Sequence, residues 1–279
     1  MKALFDKISF RTSAMVTKKY STSFSMGILF LDRVLHKHIY AIYGFVRFAD
    51  EIVDTFHEYD KKALLDDFRA QTWRALDEGI SLNPILNSFQ HTVNEFNIDR
   101  ELIETFLHSM EMDLDLSAVS TEEEYEEYIL GSAEVVGLMC LKVFCYGDQD
   151  TYDRLRWNAM KLGSAFQKIN FLRDLNADYN QLGRVYFPGV NMSVFNDEVK
   201  KEIEEDIEKD FKAGYEGIIQ LPKKARFGVY IAYVYYYRLF MKIKATPSHV
   251  ILNQRVRIPN HNKYRLIVSS YLRHSFNIL

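Results

Sequence analysis

Asp50 and Asp54, in RFADEIVD, and Asp174 and Asp178, in NFLRDLNAD, are each four residues apart. On a helix that spacing sends both carboxylates from one face, one turn apart. Like charges so placed weaken a helix slightly, and both pairs lie among apolar neighbours. The recurrence implies neutralisation by cations. Two such walls facing each other would hold divalent metal ions and a diphosphate between them.

Each pair belongs to a longer polar row. The first reads Tyr43, Arg47, Asp50, Asp54, in steps of four, three and four, with Ile42, Val46, Ala49 and Val53 alongside. A polar line bordering an apolar stripe suits a helix facing a cavity, although a solvated face with an internal Arg47–Asp50 pair has the same spacing. The second row is Gln167, Asn170, Asp174, Asp178, with Arg173 just off it. Asn170 adds a neutral oxygen one turn before Asp174. Mg²⁺ prefers oxygen ligands and often binds through a few carboxylates plus substrate phosphates; Mn²⁺ is the alternative metal. An arginine beside each row can grip a phosphate with two N–H groups. Two such rows favour a metal site over two coincidental surface faces.

The rows need helices, and the chain reads as helical throughout. Expected helices run over 35–56, 61–78, 84–96, 100–116, 151–182, 196–219 and 222–244. Thr121 followed by Glu124 is a capping-box pattern. It opens a helix through Tyr128 toward Tyr146, bent near Gly131 or Gly137. Residues 183–188 form a loop, Pro247 and Pro259 break the tail, and a short final helix ends at Leu279. No repeat or linker divides the chain, so one all-α domain over 1–279 is expected.

Composition agrees. Of 279 residues, 48% are hydrophobic, enough for a sizeable core, and only 12 are Gly and 5 Pro, which favours long helices. A net charge of −3 gives no basic face for nucleic acid. Cys140 and Cys145 form no CxxC pair and read as buried thiols in a reducing compartment. His36 and His38 read as surface residues. No secretory h-region is visible at the N-terminus, and no uncharged apolar run reaches membrane-spanning length. A cytoplasmic protein, or one peripheral to a membrane, is expected. The aromatic segment from Phe227 to Lys244 is the candidate membrane contact, with a buried core helix as the competing reading. No oligomeric state is assigned.

Five blocks carry a family resemblance: YSTSFSMGILFL, YAIYGFVRFADEIVD, MEMDLDL, YILGSAEVVGLM and QKINFLRDLNADYNQLGRVYFP. Their order and spacing over residues 20–188, with an echo in RVRIP at Arg255, resemble the head-to-head trans-prenyltransferases, the squalene and phytoene synthases. The resemblance implies an isoprenoid-synthase helical bundle around a central pocket, completed by the helices of 197–279. Asp50, Asp54, Asn170, Asp174 and Asp178 fall on its metal positions. Arg47, Tyr128 and Arg173 fall on its diphosphate-contacting positions. Ser21 and Ser23 match its SxSF stretch, Gln167 its pocket wall, Arg184 and Tyr186 the flap after the second acidic helix, and Asp113 an aspartate of the third block. Glu51 replaces an aspartate common in the family. Glu134 stands where a glycine is usual, which puts a carboxylate beside the pocket. SHVILNQRV around His249 lacks the usual Gly-Tyr.

The implied chemistry is ionisation of an allylic diphosphate. Metal ions, Arg47, Arg173 and Lys168 would neutralise the leaving group. Phe24, Tyr43, Phe166, Phe171 and the Tyr230, Tyr233, Tyr237 stripe would face the cation, unless they are plain core. Bacterial carotenoid enzymes are the nearest in style. Phytoene synthase acting on two geranylgeranyl diphosphates without NADPH is therefore expected. Dehydrosqualene or squalene synthase acting on farnesyl diphosphate is the second reading. A non-catalytic helical scaffold is the reading from another class.

Overall fold

The computed structural model describes residues 1–115, 121–182, 186–188, 190 and 195–258, with the side chains of 22, 23, 115 and 177–182 excepted. Among these residues there are helices and no strand. They are α1 (Lys2–Tyr20), α2 (Thr22–Leu29), α3 (Arg33–Thr55), α4 (Lys61–Glu78), α5 (Pro84–Phe96), α6 (Arg100–Asp115), α7 (Glu122–Ile129), a π turn (Leu130–Glu134), α8 (Val135–Cys145), α9 (Gln149–Leu182), α10 (Asp197–Ile218), α11 (Lys223–Lys244) and α12 (Ser248–Ile251).

Local chemistry sets the boundaries. The Asp32 carboxylate accepts from Val34 N and opens α3; Asp60 accepts from Ala63 N and opens α4. Pro84 occupies the first turn of α5, where its missing N–H is no loss. Thr121 and Glu124 form both bonds of the capping box. Gly79 closes α4 at φ +68, a conformation that costs glycine little.

α3 is the central helix. Leu35, Ile39, Ile42, Phe45, Ala49 and Val53 are almost wholly buried along it. Phe45 stacks on Phe89 of α5, centroids 3.9 Å apart, and lies against Phe68 and Phe106. A second core joins α9, α10 and α11 around Ile169, Leu172, Phe211 and Phe240.

The long apolar stretch bends within 130–134, as a π turn. It brings α8 antiparallel to α9 at very short range. A Cβ on Gly163 would lie 2.8 Å from Ala133 O, and one on Gly137 3.0 Å from Ala159 O. Only glycine permits that approach. Glu122–Cys145 also meets the length and hydropathy of a membrane span. The uncharged-run criterion had missed it because Glu134 and Lys142 interrupt the run. Much of it (61% of its most apolar window) is buried, as in a core helix.

Three expectations change here. α1 was not delimited, because its buried residues are Ser9, Ser13, Val16 and Thr17 rather than an apolar stripe. His38 is not on the surface: it is 1% exposed, edge-on to Phe10 and Phe96, with Nδ1 3.1 Å from Thr92 Oγ1. α11 is a core helix with Ala225, Gly228, Tyr230, Ile231, Leu239, Phe240 and Ile243 buried, and so leaves no broad face for a bilayer. Its aromatics meet α9 and α10 instead.

Candidate active site

The first row lies on the last turns of α3. Arg47 is paired with Glu51, and its Nη1 is 3.9 Å from Asp50 Oδ2. The guanidinium lies over the Tyr20 ring at 4.5 Å. Burial opposes its charge, but Asp50 and Glu51 outweigh that and hold it protonated. Glu51, the departure from aspartate, thus has a definite partner.

Asp50 is the perturbed carboxylate. Desolvation pushes it up to about 7, with Asp54, Asp113 and Glu51 adding to the rise and Arg47 opposing it. A water-sized sphere still touches 32% of its side chain. The desolvation therefore reflects the depth of the cleft, not removal from water. A carboxylate in that position gains from any added cation.

The second row lies on α9. Asp174 accepts from Arg173 Nε at 3.1 Å and from Arg255 Nε at 2.6 Å. Arg173 stays charged because Asp174 outweighs its desolvation. Asn170 Nδ2 donates to Gln167 Oε1 at 3.4 Å, and Gln167 lines the cavity below. The two rows meet through aromatic hydroxyls. Tyr43 is stacked on Phe24 at 5.0 Å, hydrogen-bonds Ser21, and is pushed up to about 12 by burial. Tyr236 of α11 lies close enough to add to that rise, and it also hydrogen-bonds Asn170.

On the other side Tyr128 Oη donates to both oxygens of Asp113, at 2.9 and 3.0 Å. Burial and Asp113 drive its pKa up. Tyr186 covers it, stacked on Phe171 at 4.1 Å and on Tyr128 at 5.4 Å. The structure therefore brings Ser21, Tyr43, Arg47, Asp50, Asn170, Arg173, Asp174, Tyr128 and Tyr186 around one cleft. The side chains of Ser23 and Asp178, and all of Arg184, lie outside the described residues.

Four assignments need correcting. Lys168 does not face the cleft: it is 8% exposed and paired with Asp206 and Asp210 of α10, the latter at 2.7 Å. Tyr233 and Tyr237 line an outer groove between α10 and α11, against Phe211. Tyr230 is 5% exposed and 6.3 Å from Tyr233, so this stripe is core and groove rather than cavity wall. Glu134 turns away from the cavity to accept from Ser164 Oγ at 2.5 Å, with Lys161 Nζ 3.7 Å away. Two contributors had been passed over, Tyr236 and the role of Arg255. Gly228, Ala232 and Tyr236 recur every four residues, and that stripe, not 230–233–237, faces inward.

Below the rows runs a cavity of about 220 Å³, almost wholly apolar. Phe24, Phe166 and Gln167 lie near its mouth, and Ile39, Cys140, Phe144 and Leu155 deeper. Phe166 is stacked on Tyr236 at 4.0 Å.

Among the described residues no three His, Cys, Asp or Glu side chains converge on a metal position. The donor set nevertheless fits a divalent cation and an anion together. Asn170 Oδ1 is buried without a hydrogen-bond partner, and so is Arg47 Nε on the opposite row. A buried orphan acceptor and a buried orphan donor, on facing walls, call for a ligand with both a cation and anionic oxygens.

The model of the squalene/phytoene synthase family matches residues 17–262. Phytoene synthase of Arthrospira platensis is 25% identical over 95% of this chain and 93% of its own. The 4,4'-diapophytoene synthase of Staphylococcus haemolyticus is 26% identical over 68% of this chain and 66% of its own. A dehydrosqualene synthase crystal structure superposes with a TM-score of 0.83 at 22% identity, covering 96% of this chain and 98% of that one. With an acidic cleft above an apolar cavity in an all-α bundle, the chain belongs to the squalene/phytoene synthase family and is a prenyltransferase.

Proposed function

We propose that the protein is a phytoene synthase, joining two geranylgeranyl diphosphates head to head. The pair of orphaned atoms, Asn170 Oδ1 and Arg47 Nε, carries the diphosphate reading. The cavity supports the longer substrate. Its α9 lining runs from Gln167 to Leu155, about 18 Å at 1.5 Å per residue. An extended isoprene unit has four carbon–carbon bonds along its backbone and spans about 5 Å. Four units fill that length and three leave the deep end empty.

Mg²⁺, held by Asp50, Asp54, Asn170, Asp174 and Asp178, supplies charge neutralisation at the leaving diphosphate when bound. Arg47 and Arg173 donate to its oxygens. Phe24 and Phe166 present faces to the allylic cation, and the apolar walls keep water from it. The C2–C3 double bond of the second substrate attacks that cation. Loss of a proton closes a cyclopropylcarbinyl diphosphate. Departure of its diphosphate, rearrangement to the 1–1′ link and loss of a proton give phytoene, with no hydride donor.

Farnesyl diphosphate is the second reading, because the diapophytoene synthase matches at an identity similar to that of the phytoene synthase. Labelled geranylgeranyl and farnesyl diphosphates are incubated separately with Mg²⁺, with and without NADPH, and the products identified. Phytoene from the longer substrate, independent of NADPH, is expected. A product from farnesyl diphosphate alone would sink the proposal.

A further inference from the structure

α1 is amphipathic in an unusual sense. Hydroxyls face inward: Ser13 Oγ lies 2.7 Å from Ser88 Oγ of α5, and Asn87 Nδ2 donates to Ser9 Oγ at 3.0 Å. Leu4, Ile8 and Met15 face outward, 62%, 48% and 57% exposed. Steps of four and seven set them on one stripe. Packing against α5 accounts for the buried hydroxyls, but not for three large apolar side chains aligned in solvent.

The stripe has a basic flank. Lys7 and Arg11 border it and line a groove whose other wall holds Arg33 and Lys37 of α3. Glu95 is the one acidic residue in that lining, 3.9 Å from Lys37 Nζ. Tyr40 also lines the groove, and its buried hydroxyl has no hydrogen-bond partner. Residues 1–37 carry seven Lys or Arg against two Asp, in a chain whose net charge is −3. Basic character is thus concentrated where the apolar stripe is. Val34 and Leu29, 44% and 59% exposed, add to the apolar area.

The location matters too. Leu31 and Ile39 line the cavity, whereas Arg33, Val34 and Tyr40 line the groove. The two sets alternate along one short stretch, so the surface and the deep half of the cavity lie on opposite sides of the start of α3.

We propose that α1 and the first turns of α3 dock on an anionic lipid bilayer. Leu4, Ile8 and Met15 enter the boundary between headgroups and acyl chains. Lys7, Arg11, Arg33 and Lys37 meet the lipid phosphates. Charge complementarity selects this occupant: long cations flanking a narrow apolar stripe on one helix is the pattern of interfacial helices. The purpose, passing hydrocarbon chains between bilayer and cavity, rests on the function proposed above; the docking itself does not.

The test is flotation of the full chain with phosphatidylcholine vesicles and with vesicles containing phosphatidylglycerol. Binding to the anionic vesicles alone, weakened by salt, is expected. Leu4→Ser/Ile8→Ser and Lys7→Glu/Arg11→Glu should each lower the vesicle-bound fraction about tenfold or more. Both should keep the wild-type melting temperature and turnover on detergent-dispersed substrate. Absence of binding by the wild type, or undiminished binding by both variants, overturns the proposal. So does a wild-type dimer that these substitutions dissociate, since the face would then belong to a second copy. Vesicle binding by a chain that turns over no prenyl diphosphate would uphold the docking and remove the functional reading.

Discussion

At the scale of single residues, the site is defined by groups that lack what their surroundings should supply. Asn170 Oδ1 has no donor and Asp50 is pushed up to about 7 in its cleft. A cation between the rows relieves both. Asn170→Ala should therefore raise the Mg²⁺ concentration for half-maximal activity by about ten- to a hundredfold, while Asn170→Asp largely restores it. An unchanged metal titration for the alanine variant would refute the assignment. Asp50→Ala and Asp174→Ala should each abolish the first condensation with the helical circular dichroism unchanged, and product formation by either would be decisive against it. The carboxylates, Asn170 and Arg47 were legible because helical spacing displays them in one line. Tyr236 and the contact of Arg255 with Asp174 were not. Each reaches the cleft from an element distant in sequence, and a row on one helix says nothing about what crosses it. Lys168 shows the reverse error: adjacency to Gln167 suggested the cleft, but one step along a helix turns a side chain by about 100°, here onto Asp210.

At the scale of elements, polar matching matters as much as apolar stripes. α1 meets α3 and α5 through Ser9, Ser13 and Thr17, a contact that periodicity of apolar residues assigns to the wrong face. His38 belongs to the same layer. Burial, then Lys37 and His91, depress it from 6.5 to about 4. The folded protein thus favours the neutral ring, and the unfolded chain binds the extra proton. Stability from this group is complete above pH 6.5 and is lost as pH falls toward 4, a change of about 3 kcal/mol. Denaturant midpoints of wild type and His38→Asn, compared at neutral pH and near pH 4, should converge on acidification. A constant difference between them would show that His38 does not titrate in this way. α11 teaches the complementary lesson. Its tyrosine run looked like a surface feature, yet small residues at Gly228 and Ala232 mark the face that meets the cavity.

At the scale of the whole molecule, the bundle separates charge from hydrocarbon along one axis. The rows lie at one end of α3 and α9, and Ile39 and Leu155 line the deeper part of the cavity. All-α class and a central pocket were readable from composition and the spacing of five blocks. The depth of the pocket was not, because it depends on how closely α8 and α9 approach at Gly137 and Gly163. Depth should be adjustable from within. Cys140 is 8% exposed and lines the deep half; Cys140→Phe should cut turnover of geranylgeranyl diphosphate at least about tenfold while sparing farnesyl diphosphate, for an overpacking cost of about 1–3 kcal/mol. Equal losses on both substrates would mean that chain length is read elsewhere. The bend over Leu130–Glu134 has a consequence for how this chain tolerates insertions and deletions. A π turn holds one residue more than the α-helix around it needs. Deleting any one residue there would let the helix run on smoothly and keep its composition nearly intact. It would also rotate everything after it by about 100° relative to Tyr128. Val136 and Cys140 would leave the cavity while Tyr128 kept Asp113, so a single lost codon in this helix would preserve the helix and erase the pocket.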